Sequence, residues 1–159
     1  MTVEAVLCIL QETPDRLRVL TDGATEPELH ASPEPGEWCV TEILGHLRSC
    51  ADVWGDAIEM IVASDHPTIR AVNPTTWIES TDYRELRFAP SFQDFTRQRC
   101  GLLTVLEQLP TQGWSRRAVV LGAGKPIERT VHSYADRLAR HERTHWRQIA
   151  KTVRALVPG

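Results

Sequence analysis

Four long segments of this chain carry apolar residues at steps of three and four, and this spacing limits what the chain can fold into. Such spacing places the apolar residues on one face of an α-helix. It predicts helices over about Val3–Leu20, Cys39–Ala63, Ser91–Leu109 and Thr130–Leu156. No segment carries a convincing alternation of strand residues. We therefore predict an all-α fold, a four-helix bundle with long connections between some of its helices.

Two of the predicted connections are unusually long. The segment from Pro67 to Pro90 is irregular and contains Trp77 and Tyr83. A connection of this length in a compact domain is usually functional or a crossover. Its two aromatic residues are candidates for the rim of a pocket, or else they pack across the end of the bundle. From Gly113 to Arg129, a short apolar run and the turn Gly122–Gly124 are compatible with a small hairpin or a plain loop.

The length and charge of the chain narrow its class. Its 159 residues are the size of one domain, so we expect a single domain over residues 1–159. The 18 basic and 21 acidic residues are interspersed, which disfavours a nucleic-acid partner. No apolar stretch approaches the roughly 20 residues of a membrane span, and no basic region precedes the first apolar residues. We expect a cytoplasmic protein without a membrane partner.

The four cysteines are far apart and form no C-x-x-C pair, so we expect reduced thiols. Cys8, Cys50 and Cys100 stand among apolar residues, and the simplest expectation for each is a small buried hydrophobic side chain. Cys39 precedes Glu42 by three residues at the start of the second predicted helix. This spacing predicts a capping box in which Cys replaces the usual Ser or Thr.

The fourth predicted helix carries two histidines on its apolar face. Residues at i and i+4 share one face, with Cβ atoms about 5–6 Å apart, which suits two imidazoles that bind one metal ion. A buried imidazole needs partners for both ring nitrogens, and a metal on one with an acceptor on the other provides them. The alternatives are hydrogen-bonded core histidines or a helix that turns them to water. The stripe consists of Val131, Tyr134, Leu138, His141, His145, Ile149, Val153 and Leu156.

The second predicted helix supplies a third candidate ligand. His46 lies at the edge of its buried face, flanked by apolar residues. With the pair on the fourth helix it would complete a three-histidine set from two helices, which leaves coordination positions for water or substrate. The spacing alone does not establish that the two helices are neighbours. His30, His66 and His132 fall in a linker, at a helix end and in a first turn, where we expect solvated roles.

His141 to His145 also spell H-E-x-x-H, the helix motif of zinc metalloproteases. In that class the third ligand commonly lies downstream. Only fourteen residues follow His145 here, and they include no Asp, Glu or His, so we do not favour a peptidase. Three roles stay open for Glu142: it could act as a base, support the ligands, or be a solvated residue at the helix edge.

Three blocks of the sequence resemble the DinB-like family, a superfamily of helical bundles that includes small-thiol-dependent transferases. The first block contains the Trp and Glu of the second predicted helix and its His-Leu pair, the second spans the third helix, and the third carries the ending His-x-x-x-His-x-x-Gln-Ile. The blocks are Gly36–Leu47, Phe92–Leu109 with Trp114 after it, and Thr130–Ile149.

The resemblance implies a four-helix bundle, often dimeric, with a divalent metal bound by three histidines. It maps those ligands onto His46, His141 and His145, the same set that the helical spacing indicates. Zinc or nickel is the implied metal, and iron or manganese is also compatible. One departure is Cys39, where the family usually has Ser.

These features favour a metal-dependent enzyme that acts on a small molecule. The metal would serve as a Lewis acid that activates a water or a thiolate at its open position. A narrower hypothesis is an S-transferase or isomerase that uses a low-molecular-weight thiol, since a thiolate is a good ligand for zinc. The alternative is a non-catalytic protein in which the metal or a bound ligand has a structural or sensing role. The sequence assigns no catalytic residue beyond the metal ligands.

Overall fold

A computed structural model describes residues 1–122 and 124–156 of the chain. Ala123 of the predicted turn and the last three residues of the predicted domain lie outside the described residues. The longest elements are four helices, α1, α3, α5 and α6. In chain order the elements are α1 (Val3–Thr21), α2 (Glu26–Leu29), α3 (Val40–Ala63), β1 (Thr68–Arg70), α4 (Pro74–Trp77), a 3-10 turn (Ile78–Ser80), α5 (Phe88–Glu107), a 3-10 turn (Thr111–Ser115), β2 (Arg117–Leu121), β3 (Ile127–Thr130) and α6 (Val131–Leu156).

The four long helices form the predicted bundle. Helix α6 packs between α1 and α3, and α5 packs against the same two helices. Helices α1 and α6 run parallel, because the amino group of Met1 binds Asp136 while Arg16, further along α1, stacks on Trp146. None of the described helices is long and apolar enough to cross a membrane.

The connection between α3 and α5 is a crossover. These helices run parallel, because Arg48 binds Asp94 and Gln98, one turn further along α5, binds Asp52. The chain must therefore return to the starting end of the bundle after α3. The prediction of an irregular segment is only partly right, since this connection contains β1, α4 and a 3-10 turn.

A small three-stranded sheet corrects the prediction of a strictly all-α fold. Strand β1 pairs in parallel with β2, and β2 pairs antiparallel with β3. Strands of three to five residues are too short to show a clear alternation in sequence. The apolar run that was compatible with a hairpin or a loop forms β2, whose Ala118 and Val120 are buried against the bundle.

The bundle interior has two apolar clusters with polar residues between them. One cluster lies near the sheet and includes Leu10 of α1, and the other includes Leu17 of the same helix. Between them Arg99 of α5 forms an ion pair with Glu142 of α6, and both side chains are almost completely buried. The core of the bundle is therefore interrupted by charge at its midpoint.

Local details confirm some predictions and correct others. The capping box at α3 is confirmed, because Cys39 Sγ accepts from the backbone N–H of Glu42 and a Glu42 oxygen accepts from the N–H of Cys39. Helix α5 begins at Phe88, earlier than predicted, since a proline is tolerated in a first turn. The predicted burial of Cys8 and Cys100 is wrong, because α1 and α5 turn both thiols outward.

Candidate metal centre

Helices α3 and α6 bring the three predicted ligands together. Nε2 of His141 lies 3.1 Å from Nε2 of His46 and 3.1 Å from Nε2 of His145. Nitrogen atoms that bind one zinc ion at about 2.0–2.1 Å lie roughly 3.0–3.4 Å apart in common geometries. His46 and His145 are each 9% exposed, so the cluster lies at the edge of the core. Both separations from His141 are compatible with nitrogens that share one metal ion.

Hydrogen bonding alone leaves these imidazoles poorly satisfied. Nδ1 of His145 lies 2.7 Å from Oε1 of Gln148, so this nitrogen donates a proton and Nε2 keeps a lone pair. Nε2 of His141 can donate or accept one hydrogen, so at most one of its two short contacts is a normal hydrogen bond. Among the described residues, the buried Nδ1 of His141 has no partner either. A cation shared by the three Nε2 atoms removes the conflict between them.

Burial lowers the pKa of all three imidazoles. The pKa of His46 falls to about 4, chiefly through burial and then through the charges of His145 and Arg84. The pKa of His141 falls to about 3, again chiefly through burial and then through its two histidine neighbours. Burial also lowers the pKa of His145, against an opposing effect of its bond to Gln148. The imidazoles are therefore neutral near pH 7, which is the form that binds metal ions.

A buried thiol completes the cluster. Cys50 lies one turn after His46 on α3, and its Sγ is 3.7 Å from Nε2 of His46 and 3.8 Å from Nε2 of His141. Burial, followed by the charge of Glu142, raises the pKa of this thiol to about 12. The predicted burial of Cys50 is confirmed, but the sequence analysis missed its place beside the histidines. Its i, i+4 spacing from His46 is the same as that of His141 and His145, and this signal could have revealed it.

Two tryptophans flank the cluster. The ring of Trp38 lies 5.1 Å from the ring of His46, and the ring of Trp54 lies 5.2 Å from that of His141, nearly perpendicular to it. The guanidinium of Arg137 sits 4.6 Å from the centre of the Trp54 ring. The histidines between α3 and α6 therefore contact an aromatic ring at His46 and another at His141.

The crossover connection packs beside the cluster. Tyr83 lies against Gly45, where an added Cβ would be 3.2 Å from the Tyr83 carbonyl oxygen, so the lack of a side chain permits this close approach. The hydroxyl of Tyr83 donates to Asp52 at 2.8 Å, and Arg48 stacks 3.9 Å from its ring centre. Trp77 also donates to Asp52, at 3.2 Å. Both aromatic residues thus fix the crossover to α3.

The sequence profile of the DinB superfamily matches residues 9–149, nearly the whole chain. The chain belongs to the DinB superfamily. The resemblance noted in the sequence is therefore confirmed at the level of the superfamily.

Two other proteins are similar to this chain. A protein of Geobacillus thermodenitrificans named "Putative metal-dependent hydrolase" is 24% identical over 127 residues, which cover 76% of this chain and 68% of that protein. The solved structure of YfiT from Bacillus subtilis matches with a TM-score of 0.80 and 18% identity, over 96% of this chain and 86% of that chain. It is described as a probable metal-dependent hydrolase with an unusual four-helix bundle topology. At this identity the structural likeness shows the fold.

Glu142 points away from the three histidines and into the bundle. Its side chain is completely buried and pairs with Arg99 of α5, whereas His141 and His145 face His46 on α3. The suggestion of a solvated helix-edge residue is wrong, because the carboxylate points into the bundle. With no exposed surface, this carboxylate cannot act as a base on a molecule bound at the histidines. In this DinB superfamily member Glu142 belongs to the interior of the bundle.

The other histidines lie outside the cluster. His30 is exposed, with Nδ1 3.0 Å from a backbone oxygen of Glu26, and His66 is half exposed beside Glu128. His132 is partly buried, with Nε2 2.9 Å from the backbone oxygen of Met1. Solvated positions are therefore confirmed for His30 and His66, whereas His132 packs near the N-terminus.

A recess of about 320 Å³ lies between the bundle and the small sheet, and Trp54 lines it whereas the three histidines do not. Because Trp54 also contacts His141, this residue forms a shared wall between the recess and the cluster. Aromatic rings and guanidinium groups in its wall suit a small molecule with an apolar part and a negative charge. The aromatic rings and guanidinium groups belong to Trp54, Trp77, Tyr134, Arg70, Arg129 and Arg137, and Asp56 adds one carboxylate.

The bond between Gln148 and His145 yields a testable prediction. Replacing Gln148 with Ala removes the acceptor that orients the ring, so we expect metal affinity to fall roughly 10- to 100-fold. Titration of the metal-free protein with zinc in competition with a chromophoric chelator measures this change. Gln108→Ala, at an exposed position beyond the end of α5, is the matched control and should leave the affinity unchanged. Equal affinities for the two variants would show that Gln148 does not support the site.

Proposed function

We propose that this chain is a divalent-metal-dependent enzyme that acts on a small molecule, with His46, His141 and His145 as the metal ligands. The observation that carries the proposal is the approach of the Nε2 atoms of His46 and His145 to Nε2 of His141, each at 3.1 Å. Three protein ligands on an accessible edge are typical of catalytic rather than structural zinc sites. The names of the two relatives point to metal-dependent chemistry in the superfamily.

The residues around the cluster have distinct proposed roles. A bound divalent metal supplies a Lewis acid and a nucleophile activated near neutral pH. Gln148 holds the ring of His145 so that Nε2 faces the other two imidazoles. Trp38 packs on His46 and Trp54 on His141, and both shield these rings from water. Arg137, stacked on Trp54, attracts the negative charge of a substrate toward the histidines.

A narrower proposal concerns the nucleophile. Water as the nucleophile gives a hydrolase, the class named for the two relatives. A low-molecular-weight thiol as the nucleophile gives an S-transferase or isomerase. Imidazole ligands suit zinc and nickel and also iron. We propose zinc or nickel as the metal and a low-molecular-weight thiol as the cosubstrate.

Metal content tests the central proposal. We expect about one zinc or nickel ion per chain in the untagged protein after reconstitution, and none in the double variant His46→Ala, His141→Ala. A His30→Ala, His66→Ala variant is the matched control, because it also loses two histidines but leaves the cluster intact, and it should keep its metal. Absence of metal from the native protein after reconstitution overturns the proposal.

The products formed from one substrate, with and without added thiol, identify the nucleophile. Activated aryl esters that carry a carboxylate are incubated with the zinc- or nickel-loaded protein, with and without a low-molecular-weight thiol. Metal-dependent release of the free acid indicates hydrolysis, whereas formation of the thioester only when thiol is present indicates transfer. The double histidine variant corrects for the uncatalysed reaction. Metal binding without turnover of any ester would favour the non-catalytic alternative.

A further inference from the structure

The position of Cys50 is more specific than burial of a small side chain requires. Its Sγ contacts two of the three proposed ligands, at 3.7 Å from Nε2 of His46 and 3.8 Å from Nε2 of His141. The donor atoms of His46, Cys50 and His141 all lie within 4.8 Å of one another. A sulfur at about 2.3 Å and a nitrogen at about 2.0–2.1 Å from one tetrahedral zinc ion lie roughly 3.5 Å apart. The observed separations are within a few tenths of an ångström of that value.

We propose that Cys50, as a thiolate, is a further protein ligand of the metal, beside His46 and His141, and that a small molecule binds the metal as an additional ligand. The inference rests on the proposed function and goes beyond it, because the family resemblance implies histidine ligands alone. On metal binding the S–H bond breaks, the sulfur keeps the electron pair for the metal, and the proton passes to solvent.

The burial of the donors supports this arrangement. Cys50 is 1% exposed, whereas His46 and His145 are each 9% exposed. The thiol therefore lies on the core side of the cluster, and a small molecule would reach the metal from the more exposed side as an additional ligand. The other buried thiol, Cys39, caps α3 and bonds to Glu42 instead.

A mixed set of imidazoles and one thiolate has a consequence for the choice of metal. A thiolate favours zinc and the softer transition metals over magnesium, calcium and manganese. Manganese, which was compatible with histidine ligands alone, should therefore bind poorly. The thiolate also offsets one positive charge of the ion, so the loaded site carries less charge than a three-histidine site.

Cobalt(II) substitution tests the ligand directly. The exposed thiols Cys8 and Cys100 are first replaced with Ser, so that they cannot bind the ion. In this background we expect about one cobalt per chain and a near-ultraviolet thiolate-to-cobalt charge-transfer band. Adding Cys50→Ser should abolish the band and weaken cobalt affinity roughly 10-fold or more, whereas Cys39→Ser, the matched buried control, should change neither.

X-ray absorption at the zinc edge gives an independent measurement on the unaltered chain, in case Cys50→Ser fails to fold. We expect one sulfur neighbour at about 2.3 Å beside nitrogen neighbours at about 2.0–2.1 Å. Cobalt or zinc bound at one ion per chain with no sulfur signal overturns the role of Cys50 but leaves the three-histidine proposal standing. Failure to bind either ion, with the histidine variants no different, overturns both.

Discussion

Replacing Arg99 with Met should lower the free energy of unfolding by about 3–5 kcal/mol, because it leaves the buried carboxylate of Glu142 without its cation. Both side chains are almost completely removed from water, at 1% and 0% exposure. Urea unfolding of the metal-free protein, followed by circular dichroism, measures the loss. The metal-free state is used because Glu142 lies between two proposed ligands in sequence.

A double variant should reverse most of this loss. Among the described residues, two nitrogens of Arg99 and one oxygen of Glu142 have no hydrogen-bond partner, so the pair is only partly satisfied. Replacing both side chains, as Arg99→Met with Glu142→Leu, removes these unsatisfied groups together. We expect stability close to that of the native protein or above it. The pair thus stabilises the native fold less than its single variants suggest.

The matched control for Arg99 is Arg97, on the same helix. Its ion pair with Asp94 is exposed, and exposed pairs contribute little. Arg97→Met should change the free energy of unfolding by no more than about 0.5 kcal/mol. If Arg99→Met lowers the free energy of unfolding no more than Arg97→Met does, then Arg99 and Glu142 do not interact as a buried ion pair.

The sequence predicts the four helices well because each buries a continuous apolar stripe. Periodicity of that kind depends only on neighbours along the helix, such as Ile43 and Leu47 of α3. The small sheet could not be predicted in the same way. The parallel pairing of Ile69 with Val120 joins residues about fifty positions apart, and each strand is too short to carry a pattern of its own.

The candidate site could likewise be predicted only one helix at a time. His141 and His145 share a turn, and His46 lies on the edge of a stripe, so each could be chosen from its own helix. The distances between His46, Cys50 and His141 depend on how α3 faces α6. A single sequence does not contain that orientation. The partner of Glu142 was hidden for the same reason, since Arg99 lies on a third helix.

The second large effect that we expect is stabilisation by metal. Zinc or nickel at a free concentration 1,000 times the dissociation constant should stabilise the native state by about 4 kcal/mol. For a chain of this length this corresponds to a rise of roughly 8–16 °C in the unfolding midpoint. His141→Ala should abolish the rise, because Nε2 of His141 is the atom in contact with both other imidazoles. Thermal unfolding with and without metal measures it, and His66→Ala, at a half-exposed position away from the cluster, should keep the full shift.

The same measurement separates a catalytic metal from a structural one. The two apolar clusters of the bundle lie on either side of the Arg99–Glu142 pair, and of the proposed ligands Cys50 belongs to one of them. Most of the apolar core therefore packs without the metal, and a chelator should return the midpoint to the metal-free value while the helical signal persists below it. Unfolding of the chain by the chelator at room temperature would instead show that the metal completes the fold. That outcome would favour the structural role over the proposed enzyme.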